Sequence, residues 1–336
     1  AIHEAIMDSK RVFIVGHKEM DFDCMGSALC VSRMVSAYGK EAYIVSKSGG
    51  IEGQLKEALN FYDNKLEDRH VFLSDNEACR LLRKDDLLIC VDHHNPDHSG
   101  APLLINKASK IIVIDHHRRS ENFIDNPLLV YVESGASSVS ELVTELIQYQ
   151  SSKADINEAE ATIMYLGILV DTNRFKMRTG SRTFEAAAQL KKLGVDPIAA
   201  ENMLKESFDD FEEKTKILKY ALPYQNNMII ASVQENMIFS RTLMSQVADS
   251  LLNIKGVEAS YVMAKIDEET YGITARSKGV INVQVIMEKM HGGGHFSASA
   301  LQRKTKDLNA LETELKQTID EYLAQEEISD ESNTTK

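Results

Sequence analysis

Twice in this chain an uninterrupted apolar run ends abruptly in Asp-His-His. Leu87-Leu88-Ile89-Cys90-Val91 leads into Asp92-His93-His94, and Ile111-Ile112-Val113-Ile114 leads into Asp115-His116-His117. A short apolar run without polar alternation is the pattern of a strand covered on both faces, as in a parallel sheet flanked by helices. Polar residues that follow such a strand emerge at its C-terminal end, where open α/β sheets gather their ligands. Asp and His are also suitable donors for a divalent metal of intermediate hardness, and Arg118-Arg119 just beyond is placed for an anion.

The first half of the chain repeats this theme. Residues 11–17 (RVFIVGH) predict a strand running out into a loop, and a helix is expected from about Met25, with Leu29, Val31, Met34 and Val35 at helical spacing. Strands over 41–46, 70–74 and 86–91 alternate with helices over 54–61 and 77–82. One more strand is expected after Pro127, then helices over 136–149, 157–172 and 183–193. Such alternation predicts an α/β domain with a doubly wound, mostly parallel sheet. His17, Asp21 and Asp23 share the first strand-to-helix loop; read as extended backbone, Asp21 and Asp23 point the same way. Capping the helix would use only one of them. Asp171 ends an almost wholly apolar helix, a costly place for an unpaired carboxylate, and the basic loop 174–182 follows it.

Residues 194–223 are charged and helical and read as a connector. From residue 226 the pattern changes to a smaller α+β domain, with strands in MIIASVQ, SYVMAKID and TYGITARSK and helices around 245–252 and 283–290. The second of these helices runs into His291-Gly292-Gly293-Gly294-His295. Three glycines are more than a helix C-cap needs, so the expectation is a turn whose backbone N–H groups reach a phosphate or base. A last helix over 308–323 gives way to an acidic polar tail, expected to be disordered. The expected division is therefore a catalytic metal-binding domain over 1–193, a helical linker over 194–225, a substrate-binding domain over 226–325 and a tail over 326–336.

Composition narrows the partners. A net charge of −13 argues against a long nucleic acid, whose binders carry a broad basic surface, yet leaves room for a small phosphorylated ligand. No apolar run approaches the roughly 20 residues of a membrane span and no signal peptide is visible, so no membrane contact is expected within these residues. Cys24, Cys30, Cys79 and Cys90 have no CxxC spacing and read as free core thiols in a reducing, cytoplasmic compartment. The chain starts at Ala1 rather than Met, which reads as a fragment of something longer. Neither a P-loop nor a G-x-G-x-x-G is present.

Four aspartates brought together, Asp21, Asp23, Asp92 and Asp171, would repel one another unless neutralised. Two divalent cations would balance them, which predicts a two-metal site with the ions about 3.5–4 Å apart. Imidazole and carboxylate donors without thiolate suit manganese and could also accept cobalt, iron or magnesium. Such a pair activates a hydroxide at neutral pH and polarises a phosphoryl oxygen, so the expected chemistry is metal-assisted phosphoester or phosphoanhydride hydrolysis.

The ordered set His17-x-x-x-Asp21-x-Asp23, then Asp92, then Asp115-His116-His117, then Asp171 resembles the DHH phosphoesterase superfamily. Ala275-Arg276-Ser277 and the later Gly-Gly-Gly-His are similar to its DHH-associated domain, so the resemblance runs from about Arg11 to Leu323. Gly16-His17-Lys18, the stretch from Ile114 to Glu121, Gly135-Ala136-Ser137-Ser138, and the segments 170–175 and 178–184 resemble one branch, the GdpP family of cyclic di-AMP phosphodiesterases. In that family the module lies behind PAS and degenerate GGDEF domains of a membrane-anchored protein and faces the cytoplasm.

The resemblance implies that His17 and Asp21 ligate one metal, that Asp23, His116 and Asp171 ligate the other, and that Asp92 bridges both. It implies that Asp115 and His117 orient ligands or handle a proton. Arg118, Arg276, Ser277, Gly292, Gly293, Gly294 and His295 would hold substrate, the second domain closing over the metals about a hinge in 194–223. His93 departs from the pattern, in which another residue type usually follows the bridging aspartate. The implied reaction is Mn²⁺-dependent hydrolysis of cyclic di-AMP to linear 5′-pApA, in a homodimer. Its competitors are a nanoRNase acting on pApA and short RNAs, a family II pyrophosphatase (which shares the first-domain ligands but not the Gly-Gly-Gly-His element), and a non-catalytic cyclic-dinucleotide sensor. Degenerate sensors usually lose ligands, and all six are present here.

Overall fold

In the computed structural model the chain forms two compact units, Ala1–Lys205 and Glu206–Lys336. Residues 1–46, 50–225, 227–305 and 307–334 are described, with side chains as far as residue 326.

The first unit is built on strands β1 (Arg11–Val15), β2 (Glu19–Met20), β3 (Glu41–Val45), β4 (Gly50–Ile51), β5 (Val71–Leu73), β6 (Leu87–Val91), β7 (Ile111–Asp115) and β8 (Leu129–Val132). Six of them make one sheet in the order β5-β3-β1-β6-β7-β8, every pair parallel. The doubly wound expectation is met. The apolar runs behave as their composition requires: all five residues of β6 and all five of β7 are buried. Ile112 and Ile114 enter one hydrophobic core while Ile111 and Val113 enter a second, so both faces of the sheet are covered.

Strand order reverses at β1, with β3 on one side and β6 on the other. The chain leaving β1 and the chain leaving β6 therefore diverge, opening a crevice at the C-terminal edge of the sheet. His17 follows β1, Asp92 follows β6, and Asp115 ends β7.

The helices of this unit are α1 (Ile2–Met7), α2 (Phe22–Ser36), α3 (Gly53–Phe61), α4 (Asp63–Leu66), α5 (Asp75–Leu81), α6 (Pro102–Lys107), α7 (Val139–Gln148), α8 (Glu158–Asp171), α9 (Ser181–Lys192) and α10 (Pro197–Met203). Helix α2 begins earlier than expected, which corrects the picture of Asp21 and Asp23 side by side on extended backbone. Asp21 is the N-cap, its carboxylate accepting from the Cys24 N–H at 2.9 Å, and Asp23 lies in the first turn. Helices α2 and α8 approach closely through two glycines. A Cβ on Gly26 would stand 2.8 Å from Met164 Cα, and one on Gly167 would stand 2.7 Å from Asp23 Cα. This contact lays the start of α2 beside α8, whose last residue is Asp171.

The second unit contains α11 (Phe208–Leu218), β9 (Ala221–Tyr224), β10 (Met228–Ser232), α12 (Arg241–Leu252), β11 (Ala259–Lys265), β12 (Thr270–Ser277), α13 (Val283–Lys289), β13 (Gly293–His295), β14 (Ala298–Lys304) and α14 (Leu308–Thr334). Its sheet runs β13-β14-β12-β11-β10-β9, with β10 and β11 parallel and the other pairs antiparallel. Residues 326–334, within the stretch expected to be a disordered tail, are helical in α14; residues 335–336 lie outside the described residues. No helix among the described residues is long and apolar enough to cross a membrane.

Candidate metal centre and active site

A cleft of about 710 Å³ opens where β1, β6 and β7 end. Asp92 stands at its centre. It is 3% exposed and holds its backbone at φ +60°, in the left-handed region that few residues other than glycine, asparagine and aspartate enter. Its Oδ2 lies 3.3 Å from His17 Nε2, and its Oδ1 lies 3.5 Å from both His116 Nε2 and His117 Nδ1. That Oδ1 accepts no hydrogen bond from the described residues, although it is shut away from solvent.

The remaining donors sort into two groups around it. His17 Nε2 is 3.6 Å from Asp21 Oδ2. On the other side His116 Nε2 is 3.4 Å from Asp171 Oδ2 and 4.0 Å from Asp23 Oδ2. Asp23 is itself held by the start of α7, its oxygens accepting from the Val139 and Ser140 N–H groups at 2.7 Å each. Such N-terminal amides favour an anion. All six residues expected as metal ligands thus converge in the cleft region.

The charges there do not balance within the protein. Among the described residues, no Lys or Arg forms an ion pair with Asp21, Asp23, Asp92 or Asp171. Burial, followed by repulsion from Asp23, pushes the Asp92 carboxyl up to about 8 and the Asp171 carboxyl up to about 10. Burial opposes a charge on His17, yet its contacts with Asp21 and Asp92 raise it far above its ordinary value. A buried carboxylate oxygen without a donor, carboxylates pushed toward neutrality and imidazoles facing them are what a divalent cation would relieve. The residues fit a metal. One donor was not anticipated: Cys24 Sγ falls within 4.8 Å of ligand atoms of both His17 and Asp92, so the neighbourhood is not free of sulfur.

Asp115 is fully buried in the wall of the cleft, and both its oxygens are engaged within the protein. Its Oδ1 accepts from the His116 N–H (2.8 Å), the His117 N–H (3.1 Å) and His117 Nδ1 (2.8 Å), and its Oδ2 lies 2.5 Å from His94 Nδ1. Burial works against its charge, but these bonds hold it well below the usual carboxylate range. His117, half exposed, is raised by the Asp115 hydrogen bond. His93 is buried, and burial lowers it to about 4; its Nδ1 is 2.9 Å from the Val91 carbonyl and its Nε2 has no hydrogen-bond partner among the described residues.

Arg118 lines the cleft as expected, and so does Arg178, which arrives on a loop where Asn173, Arg174, Phe175 and Arg178 all have positive φ. Of the neighbouring cations, Arg174 is paired with Glu201, Arg182 is held at both nitrogens by Glu145, and the Arg119 guanidinium lies 4.6 Å over the Phe123 ring. Arg118 lines the cleft and Arg119 is not among the residues that do. The basic loop 174–182 was a candidate phosphate contact as a whole, and Arg178 is its arginine among the residues that line the cleft. His94 was missed because only the aspartate of the first Asp-His-His had been given a task.

In the second unit a recess of about 280 Å³ is bordered by Arg276, Gly293 and Gly294. The expected glycine turn is a strand edge: β13 pairs with β14 from Gly293 to His295. Two of the three glycines answer to packing, since a Cβ on Gly292 would meet the Ala300 carbonyl at 2.6 Å and one on Gly294 would meet the Ala298 carbonyl at 2.6 Å. Only Gly293 has open space on that face. Arg276 Nε bonds Asp249 at 3.1 Å, Ser277 Oγ accepts from the Gly279 N–H at 3.0 Å, and His295 is exposed.

With the geometry in hand, comparison with known proteins is direct. Residues 11–168 match the family model described as the DHH family, N-terminal domain, and residues 225–325 match the DHHA1 domain. The chain is 41% identical over 324 residues to the cyclic-di-AMP phosphodiesterase GdpP of Bacillus subtilis (strain 168), covering 96% of this chain and 49% of that protein. It is 39% identical over 325 residues to the cyclic-di-AMP phosphodiesterase PdeA of Listeria monocytogenes serotype 1/2a (strain 10403S), again covering 96% and 49%. The chain spans about half the length of these curated relatives. Among solved structures, an exopolyphosphatase-related protein from Bacteroides fragilis superposes with a TM-score of 0.74 at 20% identity, covering 96% of this chain and 95% of that one, which shows a shared fold.

Proposed function

The chain belongs to the DHH family, and from that premise we propose that it is a metal-dependent phosphodiesterase that opens cyclic di-AMP to linear 5′-pApA. The observation that carries this reading is the buried Oδ1 of Asp92, without a hydrogen-bond donor among the described residues and set among imidazoles and further aspartates in a cleft that Arg118 and Arg178 also line. His17, Asp21 and Asp92 would hold one divalent ion, and Asp23, Asp92, His116 and Asp171 a second. The oxygen and nitrogen majority of these donors favours Mn²⁺. Bound there, such ions supply positive charge against a phosphate and a nucleophile at neutral pH.

The chain's own residues do the rest. Arg118 and Arg178 grip the non-bridging phosphate oxygens and stabilise the charge that grows as water adds to phosphorus. The P–O3′ bond breaks as the new P–O bond forms; the attacking water gives up one proton to solvent, and the departing 3′ oxygen takes one. His117 is placed to give it: Nδ1 is tied to Asp115, so Nε2 is the nitrogen left for the substrate. Asp115 keeps that ring oriented and favours its charged form. In the second unit, Arg276, Ser277 and the strand edge from Gly292 to His295 form the nucleotide-holding surface, with Gly293 the position where a base or phosphate can come close.

The test is turnover of cyclic di-AMP by the purified protein at saturating Mn²⁺, with pApA and inorganic pyrophosphate assayed in parallel. Formation of pApA from the cyclic substrate is the expected result. Preferential cleavage of pApA would replace the reading with an oligoribonuclease, and absence of turnover would sink it.

A further inference from the structure

The two Asp-His-His tripeptides interlock. His94, the last residue of the first, is 5% exposed and lies 2.5 Å by its Nδ1 from Oδ2 of Asp115, the first residue of the second. Its other nitrogen, Nε2, accepts the Ser120 backbone N–H at 2.9 Å. A ring nitrogen that accepts an N–H carries a lone pair, so the proton of neutral His94 sits on Nδ1 and is donated to Asp115. Ser120 Oγ, 3.0 Å from the same nitrogen, gives its own hydrogen to the Asn122 carbonyl at 2.7 Å. The Ser120–His94–Asp115 row is thus not arranged as a nucleophilic triad, because the hydroxyl proton points away from the imidazole.

Both nitrogens of His94 are engaged inside the protein, and each is engaged with something that matters for the cleft. Asp115, gripped at Oδ2 by His94, uses Oδ1 to hold His117 Nδ1 at 2.8 Å. Ser120, clasped through its N–H, closes the short segment that carries Arg118. Phe123 stacks on the His94 ring at 5.1 Å between centroids and fixes its plane.

We propose that His94 is a positioning residue: through Asp115 it sets the tautomer and aim of His117, and through Ser120 it sets the loop that presents Arg118. The proposal rests on reading the cleft as a phosphodiesterase site. Its core, the order of protons along His94, Asp115 and His117, can be checked without any turnover.

The experiment compares His94→Asn, His94→Gln and His94→Leu with the wild type, measuring kcat and KM on cyclic di-AMP with saturating Mn²⁺ and recording ¹⁵N–¹H imidazole spectra of histidine-labelled protein. Asn places an amide donor near the Nδ1 position, so the Asp115 bond survives and the Ser120 clasp is lost. Gln places its carbonyl near Nε2 and reverses the pattern. Expected are a raised KM with a kcat lowered less than about tenfold for His94→Asn, and a kcat about 10–100-fold lower for His94→Gln and His94→Leu, in line with loss of a residue that orients site groups. The His117 Nδ1–H signal should persist only in the wild type and His94→Asn. Equal losses in the Asn and Gln variants, or wild-type kcat in His94→Leu, would overturn the proposal. If the variants do not fold, the wild-type spectrum still decides: neutral His94 or His117 found protonated at Nε2 overturns it, and both at Nδ1 support it. Wild-type protein that shows the expected tautomers but no turnover of cyclic di-AMP refutes the phosphodiesterase reading while upholding the hydrogen-bond order.

Discussion

Helix α8 has a buried acidic cluster at each end, and the two are opposites. At the N-terminal end, Glu160 accepts from Arg69 Nε at 2.8 Å, Arg69 Nη2 at 3.2 Å and the Asn157 N–H at 2.7 Å, with His70 Nε2 at 2.9 Å. Burial disfavours its charge, but the His70 and Arg69 hydrogen bonds still hold it below the ordinary glutamate range. At the C-terminal end, Asp171, Asp23 and Asp92 crowd His116 with no arginine or lysine among the described residues in an ion pair with them, and two of those carboxyls are pushed far upward, Asp171 despite the nearby charge of Arg178. Both clusters combine buried carboxylate with histidine. What separates the structural cluster from the chemical one is whether the chain supplies the countercharge. At Glu160 arginine and histidine supply enough to hold the carboxylate charged; around Asp92 the contact with His17 leaves the carboxyl raised.

The sharpest way to break this comparison is to neutralise one carboxylate in each cluster. Asp92→Asn should lower turnover by at least about 10²–10³-fold, the scale of losing one preorganised electrostatic group. It should leave the metal-free protein as stable as before or more so, because the folded state no longer has to hold that buried carboxyl protonated. Glu160→Gln should do the reverse: lost stability of about 3–5 kcal/mol, the cost of stranding a buried partner, with kcat of the folded fraction little changed. Urea titration in EDTA beside turnover in Mn²⁺ reads both. A Glu160→Gln enzyme as inactive as Asp92→Asn would show that α8 couples its two ends.

The same contrast gives opposite pH dependences. The Asp92 carboxyl titrates near 8 in the folded protein against 3.8 ordinarily, so between those values the folded state keeps a proton that the unfolded state has released. Stability of the metal-free protein therefore falls as pH rises through that window, and Asp171, raised to about 10, extends the fall. His17, raised from 6.5, adds stability below that value and loses it as pH rises, in the same direction. Glu160, lowered from 4.5, contributes above its unfolded value and loses that contribution as pH falls through its depressed folded value. Melting curves from pH 5 to 8 in EDTA should decline with pH, and saturating Mn²⁺, which binds the deprotonated donors, should flatten or reverse the slope. A flat curve in EDTA would mean that the Asp92 cluster is already neutralised within the protein.

How much of this could be read from residues alone depended on how local each cause was. The buried strands before Asp92 and Asp115 were legible because a doubly covered strand leaves a continuous apolar run. The convergence of His17, Asp92 and His116 followed, because parallel strands deliver their C-terminal ends to one edge. What stayed hidden was set by partners distant in sequence. Asp23 is oriented by amides of α7, more than a hundred residues on, and by the close approach at Gly167. His94 looked like a spare copy of His117 until Asp115 appeared between them. The Gly-Gly-Gly-His element read as a phosphate turn because three glycines suggest backbone exposure, whereas β14 claims two of them for strand packing.

The smallest effect separates the arginines of the loop after α8, and it asks whether missing countercharge also marks single side chains. Arg174 bonds Glu201 at 3.0 Å and Arg182 bonds Glu145 at 2.7 Å through each of two nitrogens, so both are neutralised where they stand. Arg178 lines the cleft without an ion pair among the described residues, on backbone whose left-handed turns are costly to hold. An unpaired guanidinium held there at the expense of strain should be the one that meets phosphate. Arg178→Ala should lower kcat/KM on cyclic di-AMP about tenfold, the weight of one charged hydrogen bond, whereas Arg174→Ala should stay within about twofold. Arg182→Ala should also keep its activity and lose about 1 kcal/mol of stability or less, as exposed pairs do. Equal losses at all three would mean that the loop acts as one charged body, and that pairing within it says nothing about which cation meets the substrate.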